Sequence, residues 1–433
     1  MGPETIALVG FVSMFVLIVL HVPIGVAMGV VGIVGFASIA GWGPALSLLA
    51  SEPASTMANL DLAVIPLFML MGSLAAAGGL ARDLYETSEA LVGHHPGGLA
   101  ATTIVASAGF GAVCGSSVAT TATFGRVALP EMISRKYAPG ISAGTVAAGG
   151  TLGIIVPPSS IMILYAVLAE ESVLDLFSAA IIPAILSVML YLAAIVIIAK
   201  RNPAAMPGSK KLPARDRILA IGKSWGAILL AIIVMGGIYS GVFTVNEAAA
   251  VGVVFTFFFA LGRGKLNRQT FVNVLSEASV ATIMIYFIVF GASIFSYFVS
   301  LSGASEGVIG AIQKLGLPPL GVIFALVFVY IILGAFFDEV AAVVVTLPFV
   351  LPVILSLGYD PVWWGILNVA LIGVGMLTPP IGMNVMLLNS MRADISLMTI
   401  YRGIFGFFLA DCVRIAILAL FPQVTLWLPS IIG

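Results

Sequence analysis

The sequence predicts an all-α polytopic membrane protein, folded as an inverted structural repeat with two re-entrant helical hairpins and two broken helices. Three observations predict it. The first is composition: of 433 residues, 61% are hydrophobic and only 9% charged, with a mean hydropathy of +1.19, whereas soluble domains carry about 25% charged residues. The second is the length of the apolar runs, continuous over 6–20, 23–40, 218–239 and 320–333; a membrane β-barrel shows short alternating segments instead. The third is a repeat. Sliding the chain against itself by 222 residues gives ten identities across positions 119–158, and five of them are Pro or Gly: Pro130/Pro352, Pro139/Pro361, Gly153/Gly375, Pro157/Pro379 and Pro158/Pro380.

Apolar runs bounded by charges and Gly/Pro clusters give ten crossings. Residues 1–199 form the first repeat, with helices at 5–20, 23–41, 61–79 and 174–199, a hairpin at 99–128 and a broken helix at 141–168. A basic linker follows at 200–223. Residues 224–433 form the second repeat, with helices at 224–241, 245–262, 279–301 and 400–425, a hairpin at 321–353 and a broken helix at 363–390. The start lacks a positive region and a small-residue cleavage site, so run 6–20 reads as a retained helix. Residues 42–58 are short and interrupted and read as an interfacial helix. Segments 99–128 and 321–353 are rich in small residues, and each is followed by paired turn signals, Pro130 with Pro139 and Pro352 with Pro361. They read as hairpins that enter and leave on one side, with ordinary spans as the alternative.

Charge placement tests this topology. With the linker in the cytoplasm and both termini outside, 16 of the 18 Lys/Arg residues fall on the cytoplasmic side; Lys314 lies outside and Arg414 within the last helix. Treating either hairpin as a span inverts everything after it and spoils that count. Each half has five crossings, an odd number, so the halves lie in opposite orientations, a recurrent device of secondary transporters.

The prolines carry the chemistry. Gly-Ile-Ile-Val-Pro-Pro-Ser-Ser (153–160) and Gly-Met-Leu-Thr-Pro-Pro-Ile-Gly-Met-Asn (375–384) each place a Pro-Pro near the middle of a crossing. Two prolines remove two donors and clash with the preceding turn, so the helix unwinds. Carbonyls freed at membrane depth persist where they line a cavity or bind a cation. Ser159, Ser160, Thr378 and Asn384 add side-chain oxygens, making an environment for a hard cation; kinks satisfied by neighbouring Ser and Thr are the bland alternative. The first hairpin has a polar tip at Gly115, Ser116 and Ser117, and offset 222 sets Ser116 and Ser117 opposite Asp338 and Glu339. Asp338, an acid at membrane depth, reads as a cation ligand or proton carrier, with a salt-bridged structural role as the alternative.

Other polar residues read as structural. Thr244-Val-Asn-Glu247 matches a capping box, and Asp411 and Arg414, at i,i+3, match an ion pair. Cys114 and Cys412 read as buried free thiols. His21, His94 and His95 lack metal-ligand spacing, and a net charge of −1 gives no basis for a nucleic-acid partner. The chain has no H-E-x-x-H, G-x-S-x-G, G-x-G-D or P-loop, which leaves an enzyme or an ATP-driven pump unsupported.

The segments GFGAVCGSSVATTATFGRVALPEM (109–132), AAGGTLGIIVPPSS (147–160), FFDEVAAVVVTLP (336–348) and GVGMLTPPIGMN (373–384) resemble the large membrane subunit of tripartite ATP-independent periplasmic (TRAP) transporters. IPLFMLMGSLAAAGGL (65–80) and TVNEAAAVG (244–252) fit as well, so the resemblance covers nearly the whole chain. It implies an elevator-type transporter in the bacterial inner membrane that imports a small carboxylate down a sodium gradient. It implies two partners: a small four-helix membrane subunit, here a separate chain because this one begins at the large subunit's first helix, and a periplasmic substrate-binding protein. By motif it places sodium at Gly115, Ser116, Ser117, Pro157, Pro158, Ser159, Gly334, Asp338, Thr378, Pro379 and Pro380. The anionic substrate is expected at the hairpin tips, near Ser117, Thr120, Ser160 and Asn384, where helix N-termini favour negative charge. A stand-alone symporter of similar architecture remains the second reading.

Overall fold

The structure, a computed structural model, describes residues 2–208 and 213–432. Residues 209–212 of the basic linker, Lys210 and Lys211 among them, lie outside the described residues. All regular structure among the described residues is helical. Among the described residues, seven helices are long and apolar enough to cross a membrane by themselves, and up to nine if each bent pair is one span. Apolar side chains cover the outside as well as the core: Phe258, Ile283, Phe328 and Phe405 are each more than 60% exposed. Leaving such side chains in water costs about 1.5–3 kcal/mol apiece, and a bilayer removes that cost. The chain is a multi-pass membrane protein.

Single helices occupy Pro3–Val19, Ile24–Ala40, Val64–Gly78, Val173–Arg201, Val245–Gly262, Arg268–Ser302 and Leu397–Leu420. Trp42–Ala58 is a helix as well. The stretch 225–239 is helical with a five-residue π segment, Ile232–Gly236. Glycines let neighbours approach closely: a Cβ on Gly32 would meet the Phe295 backbone nitrogen at 2.8 Å, and one on Gly25 the Phe287 carbonyl oxygen at 2.6 Å. The capping box forms as expected, with Glu247 N donating to Thr244 Oγ1 and Thr244 N to Glu247 Oε2.

The first hairpin is Gly98–Cys114 and Ser117–Ser134, the second Pro319–Phe336 and Glu339–Ser356. Their second legs begin and end at positions related by offset 222. Both run past the expected limits of 128 and 353, because Pro130 and Pro352 sit inside the helices instead of ending them. The turns come six residues after those prolines, at Lys136 (φ 64°) and Gly358 (φ 77°), themselves 222 residues apart. The broken spans are Pro139–Ile155 with Ser160–Ala169, bent by 41°, and Pro361–Gly375 with Met383–Met391.

The two broken spans run antiparallel. Tyr165, past the first break, donates its hydroxyl to the Pro361 carbonyl at the start of the second span (2.7 Å). Gly140 and Gly144, at the start of the first, pack on Thr399 and Gly403, just beyond the end of the second. Equivalent residues meet where the spans cross: a Cβ on Gly373 would lie 3.5 Å from Thr151 Cβ. A chain position touching its own repeat partner marks the pseudo-twofold axis, so the repeat is inverted.

Three shorter helices lie in stretches that the sequence reading leaves outside the spans, without assigning them as helices: Leu80–Val92, Ala214–Lys223 and Ala304–Leu315. The first is tied on three sides. Asp83 pairs with Arg263 (2.6 Å), Glu86 with Lys223 (2.8 Å), and Glu89 with Arg135 at the base of the first hairpin (2.9 Å). The hydrogen bond from Lys223 holds the Glu86 carboxyl below the usual carboxylate range. One sequence reading is corrected: Cys114 is buried, but Cys412 is exposed. Asp411 and Arg414 turn inward on that helix, and position 412, about 100° further round, faces out.

Candidate functional site

Each break sets a helix C-terminus, whose last carbonyls have lost their regular helical partners, against a helix N-terminus, whose first N–H groups have none within the helix. In the first span the last regular bond runs from Val156 N to Leu152 O (3.0 Å), and Pro157 and Pro158 then contribute no donor. In the second the gap is longer, 376–382, and closes with Asn384 N donating to Met376 O (3.3 Å). The Pro157–Pro158 and Pro379–Pro380 bonds are both cis.

A hairpin tip is seated on each break. Gly115, with φ of 65°, ends the first leg of the first hairpin. Its carbonyl accepts from both the backbone N and the Oγ of Ser160, each at 3.2 Å. Above it, Gly111 faces Gly153 so closely that a Cβ would come within 2.9 Å of the Gly153 Cα. The second hairpin repeats this with Gly334 against Gly375, again 2.9 Å, and Ala335 O accepting from Gly382 N (3.4 Å). Gly153/Gly375 and Ser160/Gly382 are equivalent under offset 222. Both tips lie at break level, part-way along the spans.

The tips also touch each other. Ser116 Oγ donates to Glu339 Oε1 (3.2 Å) and Ser117 N to Glu339 Oε2 (3.4 Å). A carboxylate here sits on the N-terminus of the helix Ser117–Ser134, where partial positive charge favours it. From the other half of the chain, Asn384 Nδ2 donates to Ser117 Oγ (2.9 Å) and to the Ala147 carbonyl (3.2 Å). Thr120 Oγ1 donates to Ser116 O (2.8 Å), within its own helix.

The residues singled out by sequence therefore gather around one centre, though not uniformly. Gly115, Ser116, Ser117, Thr120, Pro157, Pro158, Ser159 and Ser160 form the first tip and its break. Gly334, Asp338, Thr378, Pro379, Pro380 and Asn384 belong to the second. Asp338 turns to its own helix, its Oδ1 accepting from Ala341 N (2.7 Å) as an N-cap. Thr378 Oγ1 donates back to Val374 O (2.7 Å). Pro157 and Pro158 are buried, whereas Pro379 and Pro380 are exposed. Ser159 Oγ, Thr121 Oγ1 and Asn384 Oδ1 are buried with no protein partner, and buried polar atoms of that kind call for a ligand or water.

Sequence reasoning passed over Glu339, Thr121 and Gly382. Glu339 was within reach, since it is an acid at membrane depth aligned with Ser117, but the first acid of the pair, Asp338, drew the assignment. Thr121 and Gly382 lie inside the quoted motifs but carry no signal that sets them apart from their neighbours.

Comparison with known proteins follows the same lines. The family described as "Tripartite ATP-independent periplasmic transporter, DctM component" matches residues 11–424. The C4-dicarboxylate TRAP transporter large permease protein DctM of Pseudomonas aeruginosa is 33% identical over 386 residues, 89% of this chain and 90% of that one. The sialic acid TRAP transporter large permease protein SiaM of Vibrio cholerae is 29% identical over 86% of this chain and 87% of its own. Among solved structures, the YdaH transporter of Alcanivorax borkumensis superposes with a TM-score of 0.62 over 88% of this chain and 89% of that one, at 14% identity, a likeness of fold alone. A family match across nearly the whole chain, joined to paired hairpins seated on paired breaks, leaves one assignment: the chain belongs to the tripartite ATP-independent periplasmic transporter family as a DctM component, a large transport permease and not an enzyme.

Proposed function

We propose that this permease imports a small organic acid across the bacterial inner membrane, coupled to sodium entry, by an elevator movement of the hairpins and broken spans against the remaining helices. One observation carries the reading: two equivalent hairpin tips sit on two equivalent helix breaks and meet at Glu339. Helix C-termini there present carbonyls to a cation, and helix N-termini present N–H groups to an anion. The fit to sodium rests on an oxygen-only donor set. Gly115, Ser116, Ser117, Pro157, Pro158 and Ser159 form the first cation site, with Ser159 Oγ buried and free of a protein partner. Gly334, Asp338, Thr378, Pro379 and Pro380 form the second.

The substrate carboxylate docks between the tips, at Ser117, Thr120, Ser160 and Asn384. Support for an acid comes from the relatives, whose names specify C4-dicarboxylate and sialic acid. Tripartite family membership supports two partners, a small four-helix membrane subunit and a periplasmic binding protein that delivers the substrate. The basic linker supports a cytoplasmic face for residues 200–223 and periplasmic termini.

The test is uptake by liposomes containing the permease and its small partner, using a binding protein loaded with radiolabelled C4-dicarboxylate. Uptake that requires both the binding protein and an inward sodium gradient is the expected result. Uptake that needs sodium but no binding protein assigns the chain to stand-alone symport, and uptake indifferent to sodium removes the coupling. In the same assay, Glu339→Gln is expected to lower uptake about 10- to 100-fold, since hydrogen bonds to a charged group contribute about 1.5–3 kcal/mol. An unchanged rate would remove Glu339 from the site.

A further inference from the structure

The helix Leu397–Leu420 carries Asp411 and Arg414, each 1% exposed and paired at 3.0 Å. Their partners extend well beyond each other. Arg414 Nη1 donates to Ser187 Oγ (3.0 Å) on Val173–Arg201, and Nη2 donates to the Ala370 carbonyl (3.2 Å) of the second broken span. The Tyr191 hydroxyl lies 2.9 Å from both oxygens of Asp411 and 3.0 Å from Thr151 Oγ1 of the first broken span. With the Tyr191 proton on Asp411, Thr151 Oγ1 is the donor to Tyr191, and it also lies 2.8 Å from the Ala148 carbonyl, the other acceptor for its one proton. Ala148 and Ala370 are repeat partners under offset 222. One buried network thus grips both broken spans at the same position, about two helical turns before each break.

The grip lies close to both sites. Thr151 packs on its own repeat partner Gly373 at the crossing of the spans, and two residues on, Gly153 faces Ser116 O and Thr120 Oγ1 of the first tip, each 2.6 Å from an ideal Cβ. An ion pair at this depth is not needed for folding, because apolar side chains of the same volume stabilise a core at least as well. What it supplies is fixed direction: a guanidinium and a carboxylate set the relative placement of four helices through defined hydrogen bonds.

We propose that the Arg414–Asp411–Tyr191–Thr151 network is a positioning device that couples the two cation sites, so that closing the carbonyls of one break around an ion orders the other. This inference rests on the sodium-coupled reading above. Tyr191→Phe is the direct test, because it removes only the hydroxyl that links the ion pair to the first broken span and leaves Arg414 paired. In liposomes containing permease and small partner, with binding protein supplied, the sodium dependence of succinate uptake is recorded. The expected result is a sodium midpoint raised at least about fivefold and a Hill coefficient lowered toward 1, with the rate at saturating sodium within about threefold of the unmodified protein. Thr151→Val is expected to reproduce that shift, and the double variant to add little to it, because both cut one link. Asp411→Leu with Arg414→Met, which removes the network without stranding a charge, is expected to shift the midpoint the same way. If unmodified uptake follows sodium while Tyr191→Phe leaves midpoint and slope unchanged, the coupling role is overturned and the sodium reading stands. If unmodified uptake ignores sodium, both fall together.

Discussion

Gly115→Val is expected to abolish uptake, lowering it at least about a hundredfold, while the protein still inserts and purifies as a folded complex. Two independent costs meet at this position. Its φ of 65° is left-handed, where a β-branched residue is disfavoured. A Cβ there would also lie 2.8 Å from the Pro158 carbonyl oxygen and 3.3 Å from Ser159 Cα and Ser160 N. Those are backbone atoms of the break and have no rotamer by which to move aside. The tip must therefore lift, losing both hydrogen bonds from Ser160 and displacing Ser116 and Ser117 from Glu339. A displacement of about 1 Å at a reacting centre costs on the order of a hundredfold in rate, and a coordination shell has no wider tolerance. Gly307→Ala is the control, because nothing lies within 4 Å of its Cβ position. Parallel uptake and thermal-melting measurements decide the matter: near-normal uptake by Gly115→Val would show that the tip need not seat on the break.

The second large effect is on stability. Arg414→Ala leaves Asp411 fully buried beside Tyr191 without its counter-ion. Breaking one side of a buried pair costs about 3–5 kcal/mol, a large part of the total stability of an ordinary domain. The expected outcome is a sharp loss of folded protein in membranes and a lowered melting temperature after detergent extraction. Asp411→Leu added to Arg414→Met is expected to recover most of that loss, since no charge is then stranded. Equal melting temperatures for Arg414→Ala and the unmodified protein would mean that solvent or lipid headgroups reach Asp411, contrary to its burial.

Much of the architecture could be read directly from sequence, because lipid enforces simple rules. A backbone in hydrocarbon must bond to itself, so long apolar runs become helices and a Pro-Pro within one becomes a break. The start of Val245–Gly262 was marked by Thr244 and Glu247, whose capping bonds involve only neighbours in sequence. Hairpin limits were less accurate because Pro130 and Pro352 are accommodated inside their helices, and the chain turns only at Lys136 and Gly358. Neither position advertises the turn equally: Gly358 suits positive φ and Lys136 does not.

What the sequence determined by itself was the class of protein, the repeat, the two breaks and the polar tips, all set by local covalent chemistry or by the solvent. Only the tertiary structure decided which of those groups meet. It put Glu339, not Asp338, between the tips, because Asp338 is taken up in capping its own helix. It brought Asn384 to Ser117 across 267 residues of chain, and it joined both broken spans through Arg414, Asp411, Tyr191 and Thr151. The physical reason is common to all three. Offset 222 says which residues are alike, but where they lie depends on how two antiparallel copies pack across an axis, and that is set by side-chain volumes and close glycine contacts summed over the whole bundle.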